Sequence, residues 1–489
     1  MKTNALFTCS TCCIALIATL GVMAANPVLA ESLEKLNARV TYFERVALNA
    51  PADLRGRFAI DVPIDGALEK IELERVSVWA PGAVIKVYDA TGNFETIAPP
   101  VANTYRGTIP AYPGSWVTGG FVNDRFSATI RIPDRSTLEL TPIDGTNDHA
   151  LIDSIDRVVE PISCDEPIGG RPAPALAVDP RPERITPMDV QLRGPGGEEL
   201  GVTASAVELA VEADFEYYLT LGASTLNTLY QMAVVVNNIN SAYESDANLT
   251  HVLTTAIIHT TSLDPYSSTD GATINAEQVT EWTTNQSDLP YDVVMLFTGK
   301  DTCSPSSGCS LAGRANEIGS VCDRTQAFCF TEFNSSLVTH AQIAGHELGH
   351  LWNARHCDSD MSSSCFGVTP CKLMCSTINA CDNNDTVEFA PCNAGVVDAY
   401  RQSQTCFTPG PAALVWVDWR TCNLPSCIEI GAFVAPYNTV AEGVQFSPDF
   451  GFIMIMTGLS SSSPNELFPL SINKPLELRS FNGSATIGG

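Results

Sequence analysis

Apolar and polar positions change rhythm three times along this 489-residue chain. From about residue 31 to 161 they alternate every second residue, as in Lys70–Val78 and Ser127–Ile132, and Gly and Pro punctuate the runs. A period of two marks strands with one buried face, so residues 31–164 are expected to form a β-rich domain. Between Asp165 and Gly201 the rhythm stops: prolines recur, Arg171, Arg181, Arg184 and Arg193 are scattered among them, and residues 194–197 read Gly-Pro-Gly-Gly. That composition predicts a linker over 165–201, and exposed linkers are where proteases cut.

From Val202 the periods mix. Val207–Asp214, Val252–His259 and Asp292–Phe297 read as strands, Leu226–Tyr243 carries apolar residues at helical spacing, and a second helix is expected near Ala276–Thr284. Alternating strand and helix predicts an α/β domain over 202–410. From about Pro411 short strand-like runs return at Val415–Asp418, Ala435–Val444 and Ile472–Ser480, giving a short β-rich C-terminal module over 411–489. At the other end, Lys2, an apolar run from Cys12 to Ala25 and then Val28-Leu29-Ala30 have the layout of a secretory signal peptide over 1–30, cleaved after Ala30 or Ala25. No later run is long and apolar enough to span a bilayer, so no membrane insertion is expected.

One stretch of the α/β region carries the chemistry. Residues 346–356 read His-Glu-Leu-Gly-His-Leu-Trp-Asn-Ala-Arg-His. On a helix, His346 and His350 lie one above the other and present two nitrogens to one metal ion. Glu347, beside them, is badly placed as a ligand but well placed to act on a water as a general base. His356 joins them only if the chain turns, and Asn353 tolerates the left-handed backbone that ends helices. Three His ligands leave a fourth zinc position open for water, as in catalytic rather than structural sites.

The spacing resembles the metzincin signature HExxHxxGxxH, with Asn353 where that family has Gly. Metzincins also carry a methionine in a tight turn beneath the zinc, and in Cys371-Lys372-Leu373-Met374-Cys375 the matching residue is Met374. Tyr291–Gly299, Leu311-Ala312-Gly313 and Phe389-Ala390-Pro391-Cys392 are similar to adamalysin (reprolysin) catalytic domains, and Thr104–Ile109 with Pro113–Val117 is similar to their propeptides. The resemblance implies a multidomain zymogen: a β-rich propeptide, an α/β zincin-like catalytic domain with a disulfide-rich lower lobe, and the C-terminal module. It implies zinc as cofactor, leaves calcium open as a second ion, and implies an edge strand ahead of the site helix, bordered by Glu317–Cys322, that pairs with extended peptides. The C-terminal runs resemble the opening rungs of a pectate-lyase-like parallel β-helix; solenoids need several stacked turns, and no acidic cluster there supports a lyase.

Cysteine and charge sharpen this picture. Cys9, Cys12 and Cys13 fall in the signal, leaving 14, of which 13 lie between Cys303 and Cys427. Such clustering in an exported chain predicts disulfides. Cys164 stands apart, just before the linker. In latent proteases of the family a propeptide thiolate closes the zinc site, and Cys164 is the residue available for such a switch. As a switch it leaves an odd thiol among the other 13; in a disulfide it lets all 14 pair, and spacing decides neither. The net charge of −28 makes nucleic acid and anionic lipid poor partners.

The expected function is a secreted, extracellular zinc metalloendopeptidase acting on protein or peptide substrates. An adhesive or glycan-binding extracellular protein with a vestigial metal site is the alternative, against which the intact Glu347 argues. His149, His251, His259 and His340 lie outside the motif and receive no role; His340 is expected to be solvated or capping.

Overall fold

The computed structural model describes residues 32–48, 56–133, 135–158, 162–165, 190–193, 199–304, 308, 310–378, 387–404, 406, 414–417, 439–446, 451–456 and 476–481. The signal read at 1–30 and most of the 165–201 linker lie outside the described residues.

The elements run α1 (Leu33–Arg39), β1 (Glu44–Ala47), β2 (Arg57–Ile64), β3 (Ala67–Val76), β4 (Trp79–Tyr88), β5 (Phe94–Ile97), β6 (Thr104–Thr108), β7 (Trp116–Val122), β8 (Arg125–Arg131), β9 (Leu138–Pro142), β10 (Asp148–Asp153), β11 (Ile162–Asp165), β12 (Val190–Arg193) and β13 (Glu199–Ala213). They continue as α2 (Phe215–Thr220), α3 (Thr225–Ala247), β14 (Leu249–His259), α4 (Gly271–Thr284), β15 (Val293–Thr298), β16 (Leu311–Ala315), β17 (Phe328–Glu332), α5 (Leu337–Leu351), β18 (Thr377–Ile378) and α6 (Pro391–Ser403), then β19 (Leu414–Val417), α7 (Val440–Phe446), β20 (Gly451–Met456) and β21 (Leu476–Phe481).

Alternation in the N-terminal region produces an antiparallel sheet in the order β1-β10-β9-β8-β7-β6-β3-β2. Its inward face packs Ile60, Ile71, Tyr105, Phe121, Phe126 and Leu140 into one core. The α/β region builds a second sheet, in which β14, β13, β15 and β17 run parallel and β16 runs antiparallel to β17. Its strands are apolar on both faces, because α3 and α5 cover one side and α4 the other.

The N-terminal region also adds strands near both ends of this second sheet. The β4–β5 hairpin joins through β4, which runs parallel to β14, and β11 enters at the far edge between β16 and β18. The composition of β4 accounts for its departure from the first sheet. Trp79, Ala80, Ala83, Ile85 and Val87 are all buried, which suits an internal strand of a covered sheet and not a half-solvated one. Within the linker, β12 pairs with the start of β13, so that part of the segment forms a hairpin.

Helix α3 lies between the two sheets. Ser224 caps its first turn by accepting from Asn227 N, and Asn248 ends it in the left-handed conformation at φ 51°. It approaches β7 so closely that a Cβ at Gly120 would fall 2.4 Å from Val234 Cγ2; glycine inside a strand marks such backbone contacts.

The C-terminal module departs from the β-helix expectation. Strands β19, β20 and β21 do form a parallel sheet, but residues 440–444, the end of the run read as Ala435–Val444, lie in helix α7. Val440 and Val444, four apart and both buried, share one helical face. A Cβ at Gly443 would meet Val417 Cγ2 at 2.7 Å, so this face packs against β19.

Candidate metal centre

Helix α5 carries the first part of the site. Ser336 caps it by accepting from Thr339 N, and every residue from Leu337 to Leu351 is buried. The helix stops one residue after His350: Asn353 takes φ 70°, Asn353 N donates to His350 O at 2.9 Å, and Ala354 N donates to Gly349 O at 2.9 Å. This reversal brings His356 back beneath the helix.

Three Nε2 atoms then form a nearly equilateral triangle: His346 to His350 3.1 Å, His346 to His356 3.1 Å and His350 to His356 3.2 Å. His346 Nδ1 lies 2.6 Å from Leu373 O and His350 Nδ1 2.9 Å from Ala354 O. A carbonyl only accepts, so in both rings Nδ1 carries the proton and Nε2 is a bare lone pair. Lone pairs this close repel unless a cation lies among them, and the triangle is small enough for one ion to bond all three at about 2.0–2.1 Å. The donor set therefore fits zinc. Burial, reinforced by the neighbouring His356, pushes His346 down to about 3, and burial first, then the other two imidazoles, carries His350 well below its ordinary value. Both are held in the neutral form a metal ligand requires.

Glu347 is fully buried next to β16: a Cβ at Gly313 would fall 2.8 Å from Glu347 Cγ and 2.9 Å from its Oε1. Met374 is also fully buried, directly under the helix, since a Cβ at Gly349 would lie 2.6 Å from its Sδ. Met374 thus follows Leu373, whose carbonyl orients His346.

The last sequence-derived residue enters from the N-terminal region. In β11, Cys164 is in register with Gly313 of β16, while Ile162 and Ser163 oppose Ile378 and Thr377 of β18. Ligand atoms of Cys164, His346 and Glu347 all lie within 4.8 Å of one another. Cys164 is a buried thiol, and so is Cys329. The described disulfides are Cys322–Cys406, Cys357–Cys371 and Cys365–Cys392, with Cys303 and Cys375 also disulfide-bonded. Of the two cysteine arrangements left open by counting, this is the one with Cys164 outside any disulfide, and Cys329 on β17 is a second thiol.

Sequence reasoning passed over the contacts that hold α5 against its neighbours. Trp352 Nε1 donates to His251 Nε2 at 3.2 Å, and His251 Nδ1 lies 3.1 Å from Asn240 Oδ1. Tyr243 OH donates to Gly345 O at 2.8 Å. These bonds lock α5 onto α3 and β14, and no motif announces them.

His340 is a correction. It is neither solvated nor a cap but fully buried, ringed edge-on by Tyr217, Phe297 and Phe333, and neither ring nitrogen has a hydrogen-bond partner among the described residues. Burial pushes it from 6.5 down to about 3. Because the folded value is depressed, the unfolded chain takes up the proton first. The neutral ring's contribution is intact above pH 6.5 and is lost as pH falls toward 3. His340→Phe is expected to remove an acid penalty of roughly 2 kcal/mol at pH 5. Denaturant unfolding of both proteins at pH 7 and pH 5 measures it; equal losses on acidification would exclude this histidine as a source.

Residues 203–395 match the family Reprolysin_5, metallo-peptidase family M12. Over this stretch the chain is similar to reprolysin-type metallopeptidases. A disintegrin and metalloproteinase with thrombospondin motifs 1 of Mus musculus is 32% identical over 111 residues, 22% of this chain and 11% of that protein. A disintegrin and metalloproteinase with thrombospondin motifs gon-1 of Caenorhabditis elegans is 29% identical over 115 residues, 23% of this chain and 5% of that protein. The chain spans about a tenth or less of the length of these relatives. Among solved structures, metalloproteinase-II from Bacteroides fragilis aligns at 10% identity with a TM-score of 0.39, covering 71% of this chain and 91% of that one. The three histidines, Glu347 and Met374 all fall inside the reprolysin domain, and Cys164 precedes it.

Proposed function

We propose that this chain is the precursor of an exported zinc endopeptidase, in which His346, His350 and His356 hold the metal and Glu347 is the general base. The observation that carries the reading is the triangle of three Nε2 atoms, two of them with tautomers set by backbone carbonyls, beside a buried carboxylate. Zinc, when bound, supplies a Lewis acid and brings the pKa of water to about 7. Glu347 accepts a proton at its carboxylate from the attacking water and passes it to the leaving amine. His346 and His350 are kept from swinging away by Leu373 O and Ala354 O.

Substrates are proteins or peptides, taken as an extended strand in the slot between β16 and β18. That slot is filled in the precursor by Ile162–Asp165, and Cys164 brings a soft sulfur donor to the metal position. Latency follows from both: the strand blocks the peptide and the thiol blocks the water. A vestigial site in an adhesive protein would have no use for a buried base in this position. Export is supported by the leader-like residues 1–30 and by the disulfides, and no helix among the described residues is long and apolar enough to cross a membrane.

Casein digestion by the Cys164→Ala chain tests the reading. Cleavage is expected to stop with a zinc chelator and return when zinc is restored; digestion undiminished by the chelator would overturn the assignment.

A further inference from the structure

The N-terminal region holds the reprolysin domain in two unequal ways. Only β11 lies in the peptide slot. The described elements before it grip the domain elsewhere, on β14, α3 and the start of α5, with contacts of the kind found inside single folded units.

Strand β4 is paired along β14, from Leu253 opposite Trp79 to His259 opposite Tyr88. All 11 residues of β14 are buried. Val78, Trp79, Ala83, Ile85, Val87 and Val122 belong to the same apolar cluster as Val207, Leu209, Val234 and Ile258. Buried Lys86 donates to Gln286 Oε1 at 2.9 Å, Gln286 donates to Tyr88 OH at 2.8 Å, and the Tyr88 ring stacks on His259. On α3, Arg106 pairs with Glu244 at 2.5 Å and Thr118 donates to Asn238 at 2.7 Å. At the start of the zinc helix, Glu139 accepts from Ser336 Oγ at 2.9 Å and from Leu337 N at 2.7 Å, and Arg157 pairs with the same carboxylate.

We propose that residues 32–158 remain bound to the reprolysin domain after the linker is cut, as a permanent non-covalent subunit, and that activation requires only the departure of β11. The proposal rests on the precursor reading for the existence of the cut. Loss of the whole region would bare β14, a long strand whose residues are all buried, at the sheet edge, and a bare edge pairs with other chains. It would also leave Glu244, Asn238 and the donors at the start of α5 without the partners that now satisfy them, and buried polar groups are costly to leave unmatched. Withdrawing β11 uncovers only the edge of a slot that a substrate strand then refills. Inhibition and structural support are thus assigned to separate parts of one region.

The test uses the full chain with a recognition sequence for a site-specific protease placed between Arg171 and Arg184. After complete cutting, gel filtration with mass analysis at high dilution is expected to return both fragments in one peak, separable only in denaturant. Amide exchange over residues 249–259 is expected to stay slow. Two peaks with a folded reprolysin fragment, or rapid exchange in β14 after cutting, would overturn the proposal. A Glu139→Ala, Arg106→Ala double variant is expected to release the N-terminal fragment faster; if it does not fold, the exchange comparison on the unaltered interface still decides. Neither readout uses catalysis, so failure here and failure of the peptidase reading are told apart.

Discussion

Replacing Glu347 with Ala in the activated protein is expected to abolish peptide hydrolysis while zinc stays bound. The three Nε2 atoms and the carbonyls behind two of them involve no atom of Glu347, so removing the carboxylate leaves the donor set in place. What disappears is the group that moves the proton. General acid–base catalysis contributes roughly 10²–10⁴-fold, or about 3–5 kcal/mol of barrier, and the loss in kcat/KM is expected to reach at least that range. Folding is not expected to suffer, because Glu347 is a fully buried carboxyl group and such groups are expensive to desolvate. His350→Ala provides the contrast: it removes a corner of the triangle, so metal and activity go together. Zinc content and peptide turnover measured on both variants separate the roles, and a Glu347→Ala protein that still cleaves at near the parent rate would remove the base from the mechanism.

The metal centre was legible because its geometry is local. His346 and His350 are fixed by helical pitch, and the return of His356 needs one left-handed residue, which Asn353 provides at φ 70°. The α/β elements were legible for a related reason: runs such as Leu226–Tyr243 and Val252–His259 are long enough for their period to be unambiguous, and they became α3 and β14. Partner choice was not legible. Trp79–Tyr88 lies in the region whose alternation predicts strands, but nothing in its period says that it leaves the first sheet to pair with β14, beyond the linker. Counting cysteines left two arrangements open, because parity carries no distances; only the fold shows Cys164 within 4.8 Å of the ligand atoms of His346 and Glu347 and Cys329 as a second thiol. His340 was misjudged because a histidine in an apolar helix face gives no sign of whether water reaches it. In the C-terminal module, Val440 and Val444 fit a strand by composition and a helix by spacing, and the spacing prevailed.

Cys164→Ala in the uncut chain is expected to raise peptide hydrolysis on the order of 10²–10³-fold, the gain that follows from losing a tethered ligand whose effective concentration is in the millimolar range. Register places the residue opposite Gly313 of β16, and its sulfur lies within 4.8 Å of the ligand atoms of His346 and Glu347, near enough to compete for a metal held by the three histidines. Alanine keeps the β11 backbone and its pairing with β16 and β18 while deleting the donor, so what remains is a short strand that a substrate can displace. The strand's own contribution is therefore also measurable: residual inhibition in Cys164→Ala, relieved by cutting the linker, is the part due to occupancy of the slot. A serine at 164 separates size from chemistry, since its hydroxyl is nearly isosteric but a far weaker zinc donor than a thiolate; it is expected to behave like alanine. Turnover of a short peptide by the three uncut proteins at equal zinc content is the measurement. If Cys164→Ala and Cys164→Ser stay as inactive as the parent while cutting the linker activates all three alike, latency belongs to strand occupancy alone and the thiol has no part in it.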